Sequence, residues 1–393
     1  MYSRWLLHQK NYPMKYCKKC LTPDTRPRIS FKDGVCNACV FAEEKRRGDV
    51  NYNERETELN NHIAAIKEYS SSNGNVYDCI IPWSGGKDSS AVAIHLKEDF
   101  GLNPLLIRFN PLIPTKVGIH NCREVLNHGF DSMQINLNVS VSRKLCYRFF
   151  LERGNPKLHW DAGIASAIFK IAIDLKLPYI FYAEHGETNY GGRVLHKNSE
   201  KIRDYEEIIE NLVGDNPRNW VDGDNITPRD LYQYVMPTPS SIKKNGIEAH
   251  YYGYYRKWNV KENYRYVASK INFKTAERGR TYGTFTNYDS LDDYTDDLYY
   301  YLNYIKFGYG RGIRDLSRHI QNEEITREEA IILAQKYDGE FPEESIPPIL
   351  DYMGIDRDEF NKIVDSHRTP SIWSQSDGRW INILREKLMH EKI

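Results

Sequence analysis

Four short stretches hold side chains that can do chemistry at close spacing. The first is Ser84-Gly85-Gly86-Lys87-Asp88-Ser89-Ser90, preceded by the apolar run Val76 to Ile81 and followed by Ala91, Val92, Ile94 and Leu96 at helical spacing. A Gly-Gly turn between a buried strand and a helix N-terminus presents free N–H groups and the positive end of the helix dipole, a geometry that binds phosphate. Ser84 and Ser89 add hydroxyls, and Lys87 adds a cation. The spacing is too compact for a Walker A loop, which needs four residues between its first glycine and the Gly-Lys-Ser/Thr. The second stretch is the pair Cys17-Lys-Lys-Cys20 and Cys36-Asn-Ala-Cys39, with fifteen residues between them. Each pair can grip one metal from a tight turn, and four thiolates close a tetrahedron, as in a structural zinc ribbon. The third is His159-Trp160-Asp161, opening a helical pattern with Asp161 as N-cap or catalytic carboxylate. The fourth, Glu184-His-Gly-Glu187-Thr-Asn189-Tyr190-Gly191-Gly192, packs two carboxylates, an amide and glycines behind a buried strand. Two carboxylates near a phosphate loop can hold Mg²⁺ or polarise a nucleophile.

The elements that must position these residues follow from the apolar periodicity. Strands are expected over 76–81, 104–109, 131–137 and 178–184, alternating with helices over 88–100, 116–128, 140–153 and 161–175. That alternation predicts a parallel sheet covered on both faces. Ligands in such sheets bind beyond the carboxyl ends of the strands. That edge collects Ser84-Gly85-Gly86, Arg108-Phe109-Asn110 and Glu184 onward. The expected organisation is a ribbon over 1–50, a helical linker over 51–75 and a nucleotide-type α/β domain over 76–200. An insertion or lid over 201–245 and a mainly helical region over 246–393 complete it. Ala249 to Trp258 is a dense aromatic run, suited either to a core strand or to a sugar or base. Further on, Lys306-Phe-Gly-Tyr-Gly-Arg311 breaks two helices, and Thr326-Arg-Glu-Glu329 is a capping box.

The bulk composition excludes some classes. Lys+Arg and Asp+Glu both count 54, so no net charge draws the chain to nucleic acid or an anionic membrane. The mean hydropathy of -0.66 and the lack of long apolar runs argue against a spanning helix, and Trp5-Leu6-Leu7 is too short a core for a signal peptide. A cytoplasmic, reducing location is expected, in which cysteines serve as ligands rather than disulfides.

The Ser84–Ser90 turn resembles the pyrophosphatase-type loop of ATP-dependent adenylating enzymes: asparagine and GMP synthetases, tRNA thiolases and sugar amidotransferases. Taken with the Cys17–Cys39 ribbon, His159-Trp160-Asp161, Tyr190-Gly191-Gly192, Tyr251-Tyr252-Gly253-Tyr254-Tyr255 and Lys306 to Arg311, the chain resembles the N-acetyl sugar amidotransferases of bacterial surface-polysaccharide synthesis, including O-antigen and lipopolysaccharide. The resemblance implies a Rossmann-like sheet of the adenine nucleotide alpha-hydrolase type with helices on both faces, an N-terminal zinc ribbon and a helical C-terminal region. It implies conversion of an acetamido group on a nucleotide sugar to an acetamidino group, using ATP, Mg²⁺ and ammonia and releasing AMP and pyrophosphate. ATP would be held by Ser84, Gly85, Gly86, Lys87, Asp88, Ser89 and Ser90, with Arg108, Phe109 and Asn110 at the adenine. Lys87, Asp88, Asp161, Glu184 and Glu187 are the catalytic candidates, with Asp88 and Glu187 for the metal. His159, Trp160, Asn189, Tyr190, Gly191, Gly192, Tyr254, Lys306 and Arg311 are the substrate candidates. A Gly-Glu pair would be expected directly after the strand, and Glu184-His185-Gly186-Glu187 departs from it, leaving open which glutamate functions.

The cysteines Cys79, Cys122 and Cys146 lie in a strand or helices without a nucleophile-turn signature, so the chain is expected not to make its own ammonia. The resemblance implies a partner pair similar to the glutaminase and cyclase subunits of imidazole glycerol phosphate synthase. Two alternatives stand: a tRNA thiolase, which would want a basic surface and often a catalytic cysteine such as Cys122 or Cys146, and a non-catalytic ribbon protein with a degenerate loop.

Overall fold

A computed structural model describes residues 14–195 and 200–390. The Trp5-Leu6-Leu7 stretch and residues 196–199 lie outside the described residues. At the centre is a five-stranded sheet in the order β5-β4-β3-β6-β7: β3 Cys79–Pro82, β4 Pro104–Phe109, β5 Ser132–Ile135, β6 Tyr179–Tyr182 and β7 Glu248–Tyr251. All four pairings are parallel. The chain leaves β3 towards β4 and β5, then returns to its other side with β6 and β7, so the topology reverses direction between β3 and β6. A crevice opens at such a switch point.

Alternate strand residues serve two cores. Ile80, Leu105, Ile107, Phe109, Ile180 and Tyr182 pack against α5 (Val139–Arg153) and α6 (Leu158–Leu175). Ile81, Leu106 and Phe181 face the other way, towards α2 (Tyr52–Asn73), α3 (Lys87–Glu98) and α7 (Val260–Lys270). Strands buried on both faces read as apolar runs, which is why β3, β4 and β6 were visible in the sequence. At the sheet edge β5 is half exposed, carrying Ser132 and Gln134.

Three stretches outside the expected 76–200 domain contribute to its cores. Residues 52–73, expected as a helical linker, are a continuous helix whose Leu59, Ile63 and Ile66 join the core. Within the supposed lid, Ile208, Val213, Trp220, Ile226, Leu231 and Tyr234 are fully buried against α6, so that stretch is a core-building segment. The aromatic run supplies the edge strand β7 rather than beginning a helical region, with Ala249 and Tyr251 in the sheet core.

Beyond the sheet, α8 (Tyr294–Phe307) and α9 (Arg311–Gln321) meet at Gly308–Gly310, and α10 (Arg327–Tyr337) follows. The capping box at the start of α10 is present as read: Thr326 Oγ1 accepts from Glu329 N, and Glu329 Oε2 accepts from Thr326 N. The start of α9 is set by Asp338, whose carboxylate accepts from Gly310 N at 2.9 Å and Ile313 N at 3.0 Å. Among the described residues, no helix is long and apolar enough to cross a membrane.

Candidate active-site cleft and metal centre

The four cysteines converge. Cys17, Cys20, Cys36 and Cys39 are buried, with their sulfurs within 4.8 Å of one another. Cys17 Sγ and Cys39 Sγ are 3.9 Å apart, and Cys20 Sγ and Cys36 Sγ are 3.7 Å apart. Four thiolates about 2.3 Å from a tetrahedral zinc stand roughly 3.8 Å from each other. Backbone N–H groups of Lys19 and Cys36 donate to Cys17 Sγ at 3.4 and 3.3 Å, as a thiolate requires. The donor set and the spacing fit one zinc ion with no open position.

At the C-terminal end of β3 the chain turns through Ser84-Gly85-Gly86 into α3, with Gly86 as the N-cap. Gly85 sits at φ +89, and a Cβ there would lie 2.2 Å from Cys122 Sγ, so only glycine fits between the turn and that thiol. Ser84 Oγ accepts from Gly86 N at 3.1 Å and holds the turn. Lys87 is only 4 % exposed. Its ammonium bonds to Asp88 at 2.8 Å and to Asp289. Burial works against that charge, but Asp289 and Asp88 outweigh it and hold the lysine protonated well above its usual range. For Asp289 the sign is opposite: burial would raise its pKa, and Lys87 and Arg311 overcome this and keep it ionised.

Asp289 belongs to a loop that nothing in the sequence singled out. It reaches the cleft because Gly312 of α9 lets that loop approach: a Cβ on Gly312 would lie 2.7 Å from Gly283 O. Helix α9 brings Arg311, Arg314 and Arg318 to one face at i, i+3 and i+7. Arg311 Nε donates to Asp315 at 3.3 Å, and its guanidinium lies 4.5 Å from the Tyr300 ring centre. Arg314 and Arg318 lie 4.2 and 4.1 Å from the centre of the Tyr190 ring. The Tyr190 hydroxyl donates to Glu184 Oε1 at 2.9 Å. Of these, only Arg311, Tyr190 and Glu184 were foreseen. The signal for Arg314 and Arg318 was present as a helical stripe of cations.

A second cluster, around Lys157, is acidic. Lys157, at the start of α6, bonds to Asp296 and lies 3.8 Å from Asp293. Asp293 is structural, accepting from Leu112 N and Thr295 N at 2.9 and 3.0 Å. Asp161 is raised from 3.8 to about 7, first by burial, with Lys157 opposing and Asp296 adding. Asp292 is likewise pushed to about 7 by burial and by Asp296. Trp160 closes this side, its Nε1 donating to Asn110 O at 2.9 Å.

Several foreseen residues lie elsewhere. Asp161 is not an N-cap; α6 starts at Leu158, and Asp161 falls in its first turn. His159 is fully buried, bonded to Ser142 Oγ at 2.9 Å, and burial pushes its pKa down to about 3, so it is a neutral packing residue. Ser90 is fully buried and accepts from Trp83 Nε1. Phe109 packs into the core where Gly163 makes room, its ring 2.2 Å from the position of a Cβ there, and so offers no adenine platform. Arg108 is buried, with Nε and Nη2 lacking a partner. Ser89 stays at the turn, its Oγ 3.5 Å from Gly86 O. Glu187 is held by Arg28 through two bonds of 2.7 and 3.0 Å. Asn37 Nδ2 donates to Gly192 O, Arg26 Nε to Tyr190 O and Gly191 O, and Lys45 to Asn189. The 187–192 segment therefore docks the ribbon onto the sheet. Tyr254 stacks on Arg55 at 3.9 Å, and Lys306 donates to Arg153 O at 3.1 Å behind α5. A second ligand-type group, His62, Glu248 and His250, is a ring stack with imidazole centres 4.2 Å apart.

The chain is thus an α/β protein with a Gly-Gly turn after the central strand β3, a buried four-cysteine cluster whose geometry fits zinc, and an arginine-bearing helix whose Arg311 acts on Asp289 beside Lys87. Residues 282–387, which include α8 to α10, match the family described as "LPS biosynthesis protein WbpG-like, C-terminal domain". That match links the chain to lipopolysaccharide biosynthesis. An uncharacterized protein of Methanocaldococcus jannaschii is 33% identical over 191 residues. The alignment takes in 48% of this chain and 64% of that relative, so the chain spans less than two thirds of its length.

Proposed function

We propose that the chain is an ATP-dependent N-acetyl sugar amidotransferase acting on a nucleotide sugar, built on an adenine nucleotide alpha-hydrolase type sheet. The observation that carries this reading is the facing pair: the Lys87 turn on one side and the Arg311–Arg318 stripe on the other, the latter inside a segment similar to a lipopolysaccharide-biosynthesis domain.

An amide carbonyl is a poor electrophile and its oxygen a poor leaving group. Transfer of AMP from ATP onto that oxygen releases pyrophosphate and makes AMP the leaving group; ammonia then adds at the carbon and AMP departs. Lys87 and the turn amides neutralise the phosphates. Asp88, whose two oxygens accept from Lys87 and Asn263 and keep free lone pairs, is the carboxylate suited to Mg²⁺, which supplies further charge neutralisation. Asp161 takes a proton from the attacking nitrogen, being a base poised near neutrality. Ammonia comes from a partner glutaminase pair resembling that of imidazole glycerol phosphate synthase, in the cytoplasm.

The thiolase alternative needs a reactive thiolate. Cys122 does touch the turn, with its Sγ 3.5 Å from Ser84 O, but burial pushes its thiol up to about 11. Such a thiol is protonated at neutral pH and acts as a plug under the turn.

The experiment is mass spectrometry of a panel of acetamido nucleotide sugars incubated with ATP, Mg²⁺ and ammonium. A product in which NH replaces O, with AMP and pyrophosphate in equal amount, is expected. Lys87→Ala is expected to lose on the order of 100-fold or more in turnover. Release of ADP and orthophosphate would refute the mechanism.

A further inference from the structure

Helix α2 and the edge strand β7 meet at three side chains that the proposed reaction does not use: His62, Glu248 and His250. Glu248 and His250 are two apart on β7 and so share one face of it, while Ala249 and Tyr251 turn to the opposite core. His62 reaches them from α2. Tyr179 and Phe181 of the neighbouring strand β6 stand edge-on to the His62 ring, at 5.4 and 5.8 Å between ring centres. One ligand atom from each of the three residues lies within 4.8 Å of the other two.

Hydrogen bonding leaves this group unfinished. His62 Nε2 is buried and has no partner among the described residues. An enclosed polar atom without a partner is costly. His250 is 3 % exposed, and its Nδ1 is bonded to the Tyr255 hydroxyl, which fixes the ring and leaves Nε2 towards Glu248. Nε2 and Glu248 Oε2 are 3.3 Å apart. That is long for a hydrogen bond to a carboxylate, where ~2.8 Å is usual. It is the distance between two ligand atoms on one ion: donors 2.1 Å from a tetrahedral or octahedral centre stand roughly 3.0–3.4 Å apart. The His62 and His250 ring centres are 4.2 Å apart. Two imidazoles side by side on such an ion stand about 4.5–5 Å apart between centres. Helix α2 and strand β7 therefore already hold the two rings near that spacing, and His62 has only to turn its ring edge towards the ion.

The donor set names the class of ion. Two imidazoles and a carboxylate suit zinc, nickel or cobalt, whereas magnesium and calcium take oxygen ligands. The Glu248 side chain is 52 % exposed at the sheet edge, which gives an ion a way in from solvent. The group shares no residue with the four cysteines.

We propose that His62, Glu248 and His250 form a second metal site, of nitrogen and oxygen donors, that takes a divalent transition ion and fastens α2 to the edge of the sheet. The site is independent of the reaction proposed for the cleft.

The test loads the full chain with excess zinc, removes loose metal by gel filtration and counts ions by elemental analysis, then repeats the loading with Co²⁺. Cobalt held by four thiolates gives an intense sulfur-to-metal charge-transfer band; cobalt held by imidazole and carboxylate does not. The expected result is two ions per native chain, one of them without that band. Glu248→Gln, a change at an exposed side chain, and His62→Gln should each keep the charge-transfer band and bind the other ion about tenfold or more weakly. Added zinc should raise the melting temperature of the native chain above that of its ribbon-loaded form, and should not do so in the variants. Two outcomes overturn the proposal: the native chain retains no ion beyond the thiolate-bound one, so that the three side chains are only packed together; or both variants retain the second ion as the native chain does, so that it sits elsewhere. If His62→Gln does not fold, Glu248→Gln decides alone.

Discussion

Asp161→Asn makes the sharpest test of the acidic cluster. The Asp161 carboxyl moves from 3.8 to about 7 on folding, mainly through burial. A carboxylate with a raised folded pKa binds more protons in the folded than in the unfolded state between those two values. Its contribution is therefore fully favourable below about pH 4 and is lost as pH rises to about 7. About three pK units at ~1.4 kcal/mol each give ~4 kcal/mol. The group is still partly open to the cleft, so screening reduces this, and about 2 kcal/mol is the working figure. Asparagine has no charge to bury. The stability difference between Asp161→Asn and the native chain should favour the variant increasingly from pH 4 to pH 7 and then level off. Urea denaturation at a series of pH values measures it. A companion assay follows turnover at constant free ammonia: native activity should rise through about pH 7, and the variant should be slow at every pH. A stability difference that is flat, or that narrows with rising pH, would refute the placement of a buried ionising carboxyl at this position.

Cys36→Ser should remove the zinc, and with it the grip of Arg26, Arg28 and Asn37 on residues 187–192, so metal content by elemental analysis and protease resistance of that segment should fall together. Cys122→Ser should retain most activity, since the thiol is a protonated plug; its loss in a folded variant would favour a thiolase. Gly85→Ala should abolish ATP binding by titration, because the Cβ meets Cys122 Sγ at 2.2 Å and the φ of +89 is strained for alanine.

The sequence carried the sheet and the metal centre because both are local patterns. Apolar runs marked β3, β4 and β6, and doubled Cys-x-x-Cys marked the ribbon. It offered β7 as one of two readings of the aromatic run, since Glu248-Ala-His-Tyr251 is an edge strand with a charged end and no apolar run. His159-Trp160-Asp161 misled for a geometric reason. Neighbours on a helix point about 100° apart, so Trp160 and Asp161 face the cleft while His159 turns inward to Ser142. Glu187, Lys306 and Tyr254 looked free because their partners, Arg28, the Arg153 carbonyl and Arg55, are far away in sequence. Arg314 and Arg318 were not singled out for the same reason; what buries them is Tyr190 and the ribbon.

A net charge of zero hides two differently composed charge clusters. Lys87 sits between Asp88 and Asp289, with Arg311 and Arg314 acting on Asp289, while Asp161, Asp292 and Asp296 gather around Lys157. Asp296 lies in the first turn of α8, where the helix dipole favours a carboxylate, and Lys157 holds it there. The two clusters suit the two ends of one substrate under the proposed reaction. The diphosphate end is anionic throughout. The acetamido end starts neutral and finishes as an amidine, a group that is protonated at neutral pH. Asp161 and Asp292, both raised to about 7, can accept the proton that ammonia brings and then face the cation that forms, so charge is created beside groups already placed to meet it.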